Sequence, residues 1–483
     1  MRYGHRPGTA SAADEVSAGG RRRRTGRTAR WKGPGAGADG VRRERAPSAE
    51  IFRISRVFRI SHVFRISCVF RISRVFSRSS RKDRCVSQMP HVTERQPVTR
   101  TCPFDPPAEY RTLRDEAPVA EVTLPDGATG WLGSRYADVR AVLADPRFSA
   151  RRRQLRTGGP PADAPAPPPA PGMFIMMDAP EHTRFRRLLT GQFTVRRMRQ
   201  LAPAVERIVA EHLDAMAAAG GPVDLVQTFA LPIPSLVICE LLGVPYADRE
   251  EFQRNSATLV RLDAGPEEVR QAQAAMNAYF HRLAADKRAE PGDDILSGLV
   301  RSGELTDDEL AGVGGLLLIA GHETTANMIA LGTLCLLRNP GQLAALRADP
   351  SLMDGAVEEL LRYLTVVQYG VRRTALEDVE LGGRRIPAGS LVVAVLSSGN
   401  RDADQFPDEP EQLDVGRTSR SHLAFGHGVH QCLGQQLARV EMKAALSALF
   451  ARFPDLRPAV PVEDVPMRDD MLVYGVHELP VTW

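Results

Sequence analysis

The sequence predicts a mainly α-helical fold with a minor β component, organised about one long buried helix and one glycine-rich loop. Three observations carry this prediction. Thr306-Asp-Asp-Glu309 is a capping box, and the stretch it opens, Leu310 to Leu337, is almost wholly apolar until Asn339-Pro340 stops it. At 1.5 Å per residue that helix would run roughly 48 Å. Residues 201–300 read as helix after helix, broken at Gly220-Gly221-Pro222, Gly243-Val244-Pro245 and Gly265-Pro266. Phe425-Gly426-His427-Gly428-Val429-His430-Gln431-Cys432-Leu433-Gly434 reads as a loop delivering one cysteine to the start of a further helix, Gln435 to Phe453.

The remaining elements follow in order. Asp105–Tyr110 opens a short helix, and Val119–Leu124 and Thr129–Leu132 form a β-hairpin across the turn Pro125-Asp126-Gly127. Tyr136–Leu143 is a helix. Gly158–Pro171 holds seven prolines and must be a loop. Asp178–Leu189 starts the next helix. Val366-Val367 and Arg372–Leu381 read as a strand segment, and Val379–Leu396, with its Gly382-Gly383 turn, and Met471–Trp483 complete the β component.

Composition divides the chain in two. Residues 1–88 carry 22 Lys and Arg against 6 Asp and Glu, whereas residues 89–483 carry 41 against 52. The body is therefore acidic, which argues against nucleic-acid binding by it. Phe52 to Phe76 repeats the hexad Phe-Arg-Ile-Ser-x-Val four times, a period that fits neither an amphipathic helix nor a clean strand. Residues 1–88 are expected to be a basic, repetitive, disordered extension. A wrongly assigned start with Met89 as the true first residue, a basic tail and an Arg-rich targeting segment are the open readings, and intact-mass analysis of the native protein separates the first from the others. Residues 89–483 are expected to form one domain, and the 43% hydrophobic content permits a large core. The six cysteines have no Cys-x-x-Cys spacing, which disfavours a zinc knuckle or thioredoxin-like site and suggests a reducing, cytoplasmic setting. A membrane span is not expected: His322, Glu323, Thr324, Thr325 and Asn327 interrupt the one long apolar helix and would be costly in lipid.

Several residue patterns point to chemistry. A thiol at a helix N-terminus meets free backbone N–H groups that favour its thiolate. A soft thiolate beside a glycine-rich wall suits an iron porphyrin. His182 and Arg186, four apart on one helix face, suit the two propionates such a group carries. The neighbouring Arg184 and Arg187 point elsewhere and could attract an acidic partner.

Phe425, Gly428, Cys432 and Gly434 match the pattern Phe-x-x-Gly-x-x-x-Cys-x-Gly, which resembles the haem-binding loop of the cytochrome P450 family. Ala320-Gly-His-Glu-Thr-Thr325 resembles the family's oxygen-activation motif, and the resemblance spans about residues 100–483 with its motifs in family order. It implies the family fold, a long central helix over the haem and the cysteine loop beneath it. It implies haem b ligated by Cys432 and lined by Phe425 and Ala320, with His182, Arg186, Arg373 and His430 on the propionates; Arg372 is the rival of Arg373. It implies Thr324 beside bound O2 and Glu323 as proton relay, with Ala320 and Gly321 small enough to let the helix pass close. Glu359 and Arg362 match a buried structural pair, whose usual third partner, an arginine, is left open because Gln412 stands near its place. Leu316, Ile319, Val366 and Val367 are candidate pocket-lining residues. The reaction implied is monooxygenation of a C–H or C=C bond of a small apolar organic substrate by a soluble monomer, fed from NAD(P)H by ferredoxin reductase and ferredoxin. Non-oxygenating haem–thiolate chemistry and a haem-binding sensor are the alternatives.

Overall fold

The computed structural model describes residues 95–151, 168–418 and 421–483. The basic segment 1–88 and most of the proline-rich loop, on which two of the expectations above fall, lie outside the described residues.

The N-terminal half alternates short strands and helices: α1 Glu109–Glu116, β1 Val119–Thr123, β2 Thr129–Gly133, α2 Tyr136–Ala144, β3 Phe148–Ser149, α3 Glu181–Thr190, α4 Val195–Ala219 and β4 Val223–Asp224. A helical block follows: α5 Pro232–Leu242, α6 Arg249–Val260, α7 Pro266–Ala289, α8 Ile295–Ser302, α9 Asp307–Arg338, α10 Pro340–Ala348 and α11 Met353–Leu364. The chain ends with β5 Val371–Ala375, β6 Val379–Leu381, β7 Arg384–Ile386, β8 Leu391–Ala394, α12 Leu396–Gly399, α13 Gln435–Arg452, β9 Arg457–Pro458 and β10 Pro480–Thr482.

The long helix forms where its caps dictate. The Thr306 Oγ1 accepts from the Glu309 N–H at 3.3 Å, and the Glu309 carboxylate accepts from the Thr306 N–H at 2.9 Å, closing both halves of the capping box. At the other end the Asn339 side-chain amide donates to the Cys335 carbonyl at 2.8 Å, and Pro340 starts the next helix. Most of α9 is buried, with α5 and α7 packed along it. Two glycines allow this. A Cβ on Gly314 would stand 2.4 Å from the Phe280 ring of α7, and one on Gly321 would stand 2.8 Å from the Ile238 side chain of α5. Gly321 thus serves helix packing, and it is partly accessible beside the exposed Ala320.

The predicted hairpin is β1–β2, in register from Val119↔Gly133 to Thr123↔Thr129. It joins a five-stranded sheet of order β1-β2-β8-β5-β3, in which only β2 and β8 run parallel. A three-stranded sheet, β4-β10-β9, ties the C-terminus to the start of the helical block, and β6-β7 is the hairpin of the Gly382-Gly383 turn. The helices share one large apolar core, and two smaller clusters line the main sheet. None of the described helices is long and apolar enough to cross a membrane.

Candidate functional site

The site forms around Cys432. Gly426 and Gly428 adopt φ of +69° and +73°, the left-handed region that side chains disfavour. Gly428 is doubly constrained, because a Cβ there would meet the Leu143 carbonyl at 2.5 Å. The turn closes with the Cys432 N–H donating to the Phe425 carbonyl at 2.9 Å. Cys432 stands two residues before Gly434, the N-cap of α13. Its side chain is accessible, yet protein surrounds it, so the thiol opens into the interior of the molecule. Burial pushes the thiol up, and the Gly434 N–H and the nearby Arg186 only partly oppose this. The N–H at the helix terminus favours the thiolate as expected, but burial outweighs it, and a positive metal centre would hold the thiol deprotonated.

Cationic and imidazole groups gather beside it. The His182 and His430 rings lie 4.0 Å apart between centroids. Burial, and then the charge of Arg186, push His182 down to about 4. Arg186 makes no side-chain hydrogen bond among the described residues, and burial lowers its guanidinium. Arg373 is buried on β5, pushed down to about 10 by burial, and its guanidinium bonds only the Arg372 carbonyl among the described residues. Arg372, its neighbour on the strand, points to the opposite face and pairs with Asp126 at 2.6 Å through Nη1. One buried and one half-buried guanidinium, neither with a carboxylate partner among the described residues, and two adjacent imidazoles are a donor set suited to a dianion.

The opposite wall comes from α9. In the middle of this buried helix Leu316, Ala320 and Thr324, four apart, form an accessible stripe, with Ile319 beside it. The Thr324 hydroxyl donates to the Ala320 carbonyl at 2.9 Å. Val367 is partly accessible, whereas Val366 is 7% exposed and packs in the main core. Glu323, one residue before Thr324, is 4% exposed and forms an ion pair with Arg468 at 3.0 Å.

Beneath the loop lies a dense polar frame. Glu359 and Arg362 form a two-bond pair, both contacts 2.8 Å. Arg362 also donates to the carbonyls of Asn400, Pro410 and Gln412. The third partner is Arg417, whose Nε lies 3.2 Å from both Glu359 oxygens; Gln412 contributes only its carbonyl. Alongside, His422 and Arg439 bond Glu358 and, against the opposing effect of burial, hold its carboxyl at about 2. Arg439 also stacks over the Phe425 ring, 4.6 Å from its centroid. This frame fixes the loop to α11 and α13. Below it, Tyr136, Arg140, His427, Gln435 and Arg439 line a surface groove of about 330 Å³.

Arg184 and Arg187 are not a free basic patch: they pair with Glu309 and Glu304. Arg417 and Arg468 carry no local sequence signal, since their partners lie 58 and 145 residues away.

A thiol near cations that lack carboxylate partners among the described residues, with a long buried helix that bares Ala320 and the Thr324 hydroxyl along one stripe, suits a haem–thiolate protein. Comparison with known proteins agrees. Residues 267–480 match the family model described as Cytochrome P450. The chain is 53% identical over 387 residues to Cytochrome P450-SU2 of Streptomyces griseolus, covering 79% of this chain and 94% of that one. It is 47% identical over 391 residues to pentalenic acid synthase of Streptomyces avermitilis, covering 80% and 96%. The solved structure of CYP105P1 in complex with filipin I superposes with a TM-score of 0.77 at 46% identity, covering 81% of this chain and 99% of that one. The chain belongs to the cytochrome P450 family. It is accordingly a haem–thiolate monooxygenase whose cofactor is haem b.

Proposed function

We propose that the chain oxygenates an apolar secondary metabolite, with Cys432 as the axial thiolate, His182, Arg186, Arg373 and His430 on the haem propionates, and Phe425 and Ala320 against the porphyrin. The observation that carries this reading is the pair of guanidiniums without a carboxylate partner among the described residues, the half-buried Arg186 and the buried Arg373, near the thiol of Cys432. The haem supplies O2 activation; the chain's own residues bind, orient and supply protons. Leu316, Ile319 and Val367 offer the substrate an apolar wall, with Val366 supporting it from the core. Thr324 offers a hydroxyl on the cleft face, and Glu323 is the acid that renews its proton. Glu359 and Arg362 hold the loop and touch no substrate.

The substrate class rests on that apolar wall and on the names of relatives. One relative is named pentalenic acid synthase and another, from Streptomyces fradiae, 20-oxo-5-O-mycaminosyltylactone 23-monooxygenase. Electrons reach the chain from NAD(P)H through ferredoxin reductase and ferredoxin. The groove under the loop supports an acidic donor: Arg140 on its rim has no carboxylate partner among the described residues, and Val429 of the same loop is 68% exposed.

The deciding test is the difference spectrum of the reduced, carbon-monoxide-bound protein. The strongly red-shifted thiolate band is expected for the wild type and its complete loss for C432S. A wild-type band at the histidine-ligated position would overturn the reading. Ligand-induced spin-shift screening of macrolides, polyenes and terpenoids then narrows the substrate.

A further inference from the structure

The acid and the hydroxyl that the proposed function pairs do not face the same way. Successive helical residues point about 100° apart. Thr324 lies on the accessible stripe with Ala320, whereas Glu323 lies on the face it shares with Asn327, four residues on. Both are gripped from one side by Arg468: Nη2 donates to Glu323 Oε2 at 3.0 Å and Nη1 to Asn327 Oδ1 at 3.3 Å. The Asn327 amide in turn donates to the Glu323 carbonyl at 2.7 Å.

Arg468 comes from a C-terminal segment laid directly on α9. Its N–H donates to the Gly475 carbonyl at 3.0 Å, and Met467 bridges to Val476. Gly475 permits this approach, because a Cβ there would stand 1.9 Å from Asn327 Oδ1. The same segment donates from the Tyr474 N–H to the Val366 carbonyl at 2.8 Å.

The other oxygen of the carboxylate, Oε1, accepts no hydrogen bond among the described residues. The polar atom nearest to it in any recorded contact is Nε2 of His322, 3.8 Å away. His322 is fully buried, with the Phe252 ring edge-on at 5.9 Å between centroids. Its Nδ1 contacts the Leu318 carbonyl at 2.7 Å, which requires the proton on Nδ1 and leaves a bare lone pair on Nε2. Nε2 has no hydrogen-bond partner. A buried acceptor, His322 Nε2, thus stands beside an unbonded carboxylate oxygen with no donor between them, and a single proton shared by the two supplies the partner that Nε2 lacks.

We propose that Arg468 and His322 form a two-position seat for Glu323. The ionised carboxylate rests on Arg468, and the protonated carboxyl turns its Oε1–H to His322 Nε2. Arg468 and His322 are then positioning residues: proton supply to Thr324 requires Glu323 to leave the Arg468 contact, hand its proton to the cleft and take one back from solvent. This inference rests on the proposed function for the direction of proton flow.

The test uses haem-loaded full-length protein. The wild-type reduced carbon-monoxide band checks the underlying reading by itself. R468Q is expected to keep that band, because no haem contact is removed. Its infrared spectrum at neutral pH should gain a neutral carboxyl stretch absent from the wild type and from E323Q/R468Q. In H322F/R468Q that stretch should move to the position of a non-hydrogen-bonded acid. With ferredoxin, its reductase and NADPH, the hydrogen peroxide formed per NADPH should change at least twofold in R468Q, and R468K should restore it. A wild-type-like infrared spectrum of R468Q, or a carboxyl band insensitive to H322F, overturns the two-position seat. Loss of haem binding by both R468Q and R468K would show Arg468 to be structural and overturn it too.

Discussion

Glu359 on α11 and Glu323 on α9 are 2% and 4% exposed, and each faces arginine. Glu359 receives Arg362, Arg417 and the Asp414 N–H, and Arg362 spends its remaining donors on three carbonyls. Glu323 receives one guanidinium nitrogen, keeps one oxygen unbonded among the described residues, and has an unsatisfied imidazole beside it. Burial and charge are alike; the number of partners differs. A buried carboxylate surrounded by donors has one state. A buried carboxylate with one donor and one idle acceptor has two. The first suits a frame that must not move beneath the cysteine loop, the second an acid that must give up a proton and recover it.

The comparison is broken most directly at its rigid end. Arg362→Ala leaves Glu359 buried with half its donors gone and should cost about 3–5 kcal/mol, the range for breaking a buried pair. Arg417→Gln removes charge-assisted bonds but keeps the Arg362 pair, so it should cost about 1.5–3 kcal/mol and still load haem. Urea unfolding of the two variants measures both. If Arg362→Ala unfolds no more easily than Arg417→Gln, Glu359 is not the multiply anchored group described here.

Acid stability sharpens the contrast from the haem side. His182 is held at about 4 in the folded chain against an unfolded value near 6.5. Its folded value is lower, so between these limits the unfolded chain binds more protons. The contribution is fully present above about 6.5 and disappears as pH falls toward 4. For haem-depleted protein the loss should be no more than about 3.5 kcal/mol, at roughly 1.4 kcal/mol per unit, and His182→Phe should flatten it. Haem loading should flatten it as well, since a propionate beside the ring favours the imidazolium. Equal acid slopes for loaded, depleted and H182F protein would remove His182 from the propionate site.

The sequence was most legible where residues act locally. The capping box, the stop at Asn339-Pro340, the hairpin across Asp126-Gly127 and the loop to Cys432 are each written within a few positions, and each forms as read. What could not be read is what arrives from far along the chain. Arg417 and Arg468 look like any loop arginines until folding brings them to Glu359 and Glu323. The motif around Gly321 is local, whereas Ile238 of α5, which uses the space Gly321 leaves, is 83 residues away in the sequence. Cys432 was expected to be helped by its helix; the desolvation that outweighs that help is a property of everything packed around it.

Exposure extends the comparison to its weakest member and separates two groups of arginines that sequence alone makes equivalent. Arg184 and Arg187 on α3 are each answered by a carboxylate, Glu309 and Glu304; the second pair is open to water and the first is partly so. Pairs of that kind contribute about 0–1 kcal/mol and present little net charge to a partner. Arg140 on α2 donates to His427 at 3.2 Å instead, a neutral acceptor, and keeps its charge at the edge of the groove. An acidic electron donor steered by charge should therefore feel Arg140 and not the α3 pair. Reduction by ferredoxin, followed by stopped flow against ionic strength, should keep its salt dependence in R184Q/R187Q, with stability changed by less than about 1 kcal/mol. In R140Q the low-salt rate should fall severalfold and converge with wild type as salt rises. The reverse pattern would move the docking face from the groove beneath Cys432 to α3.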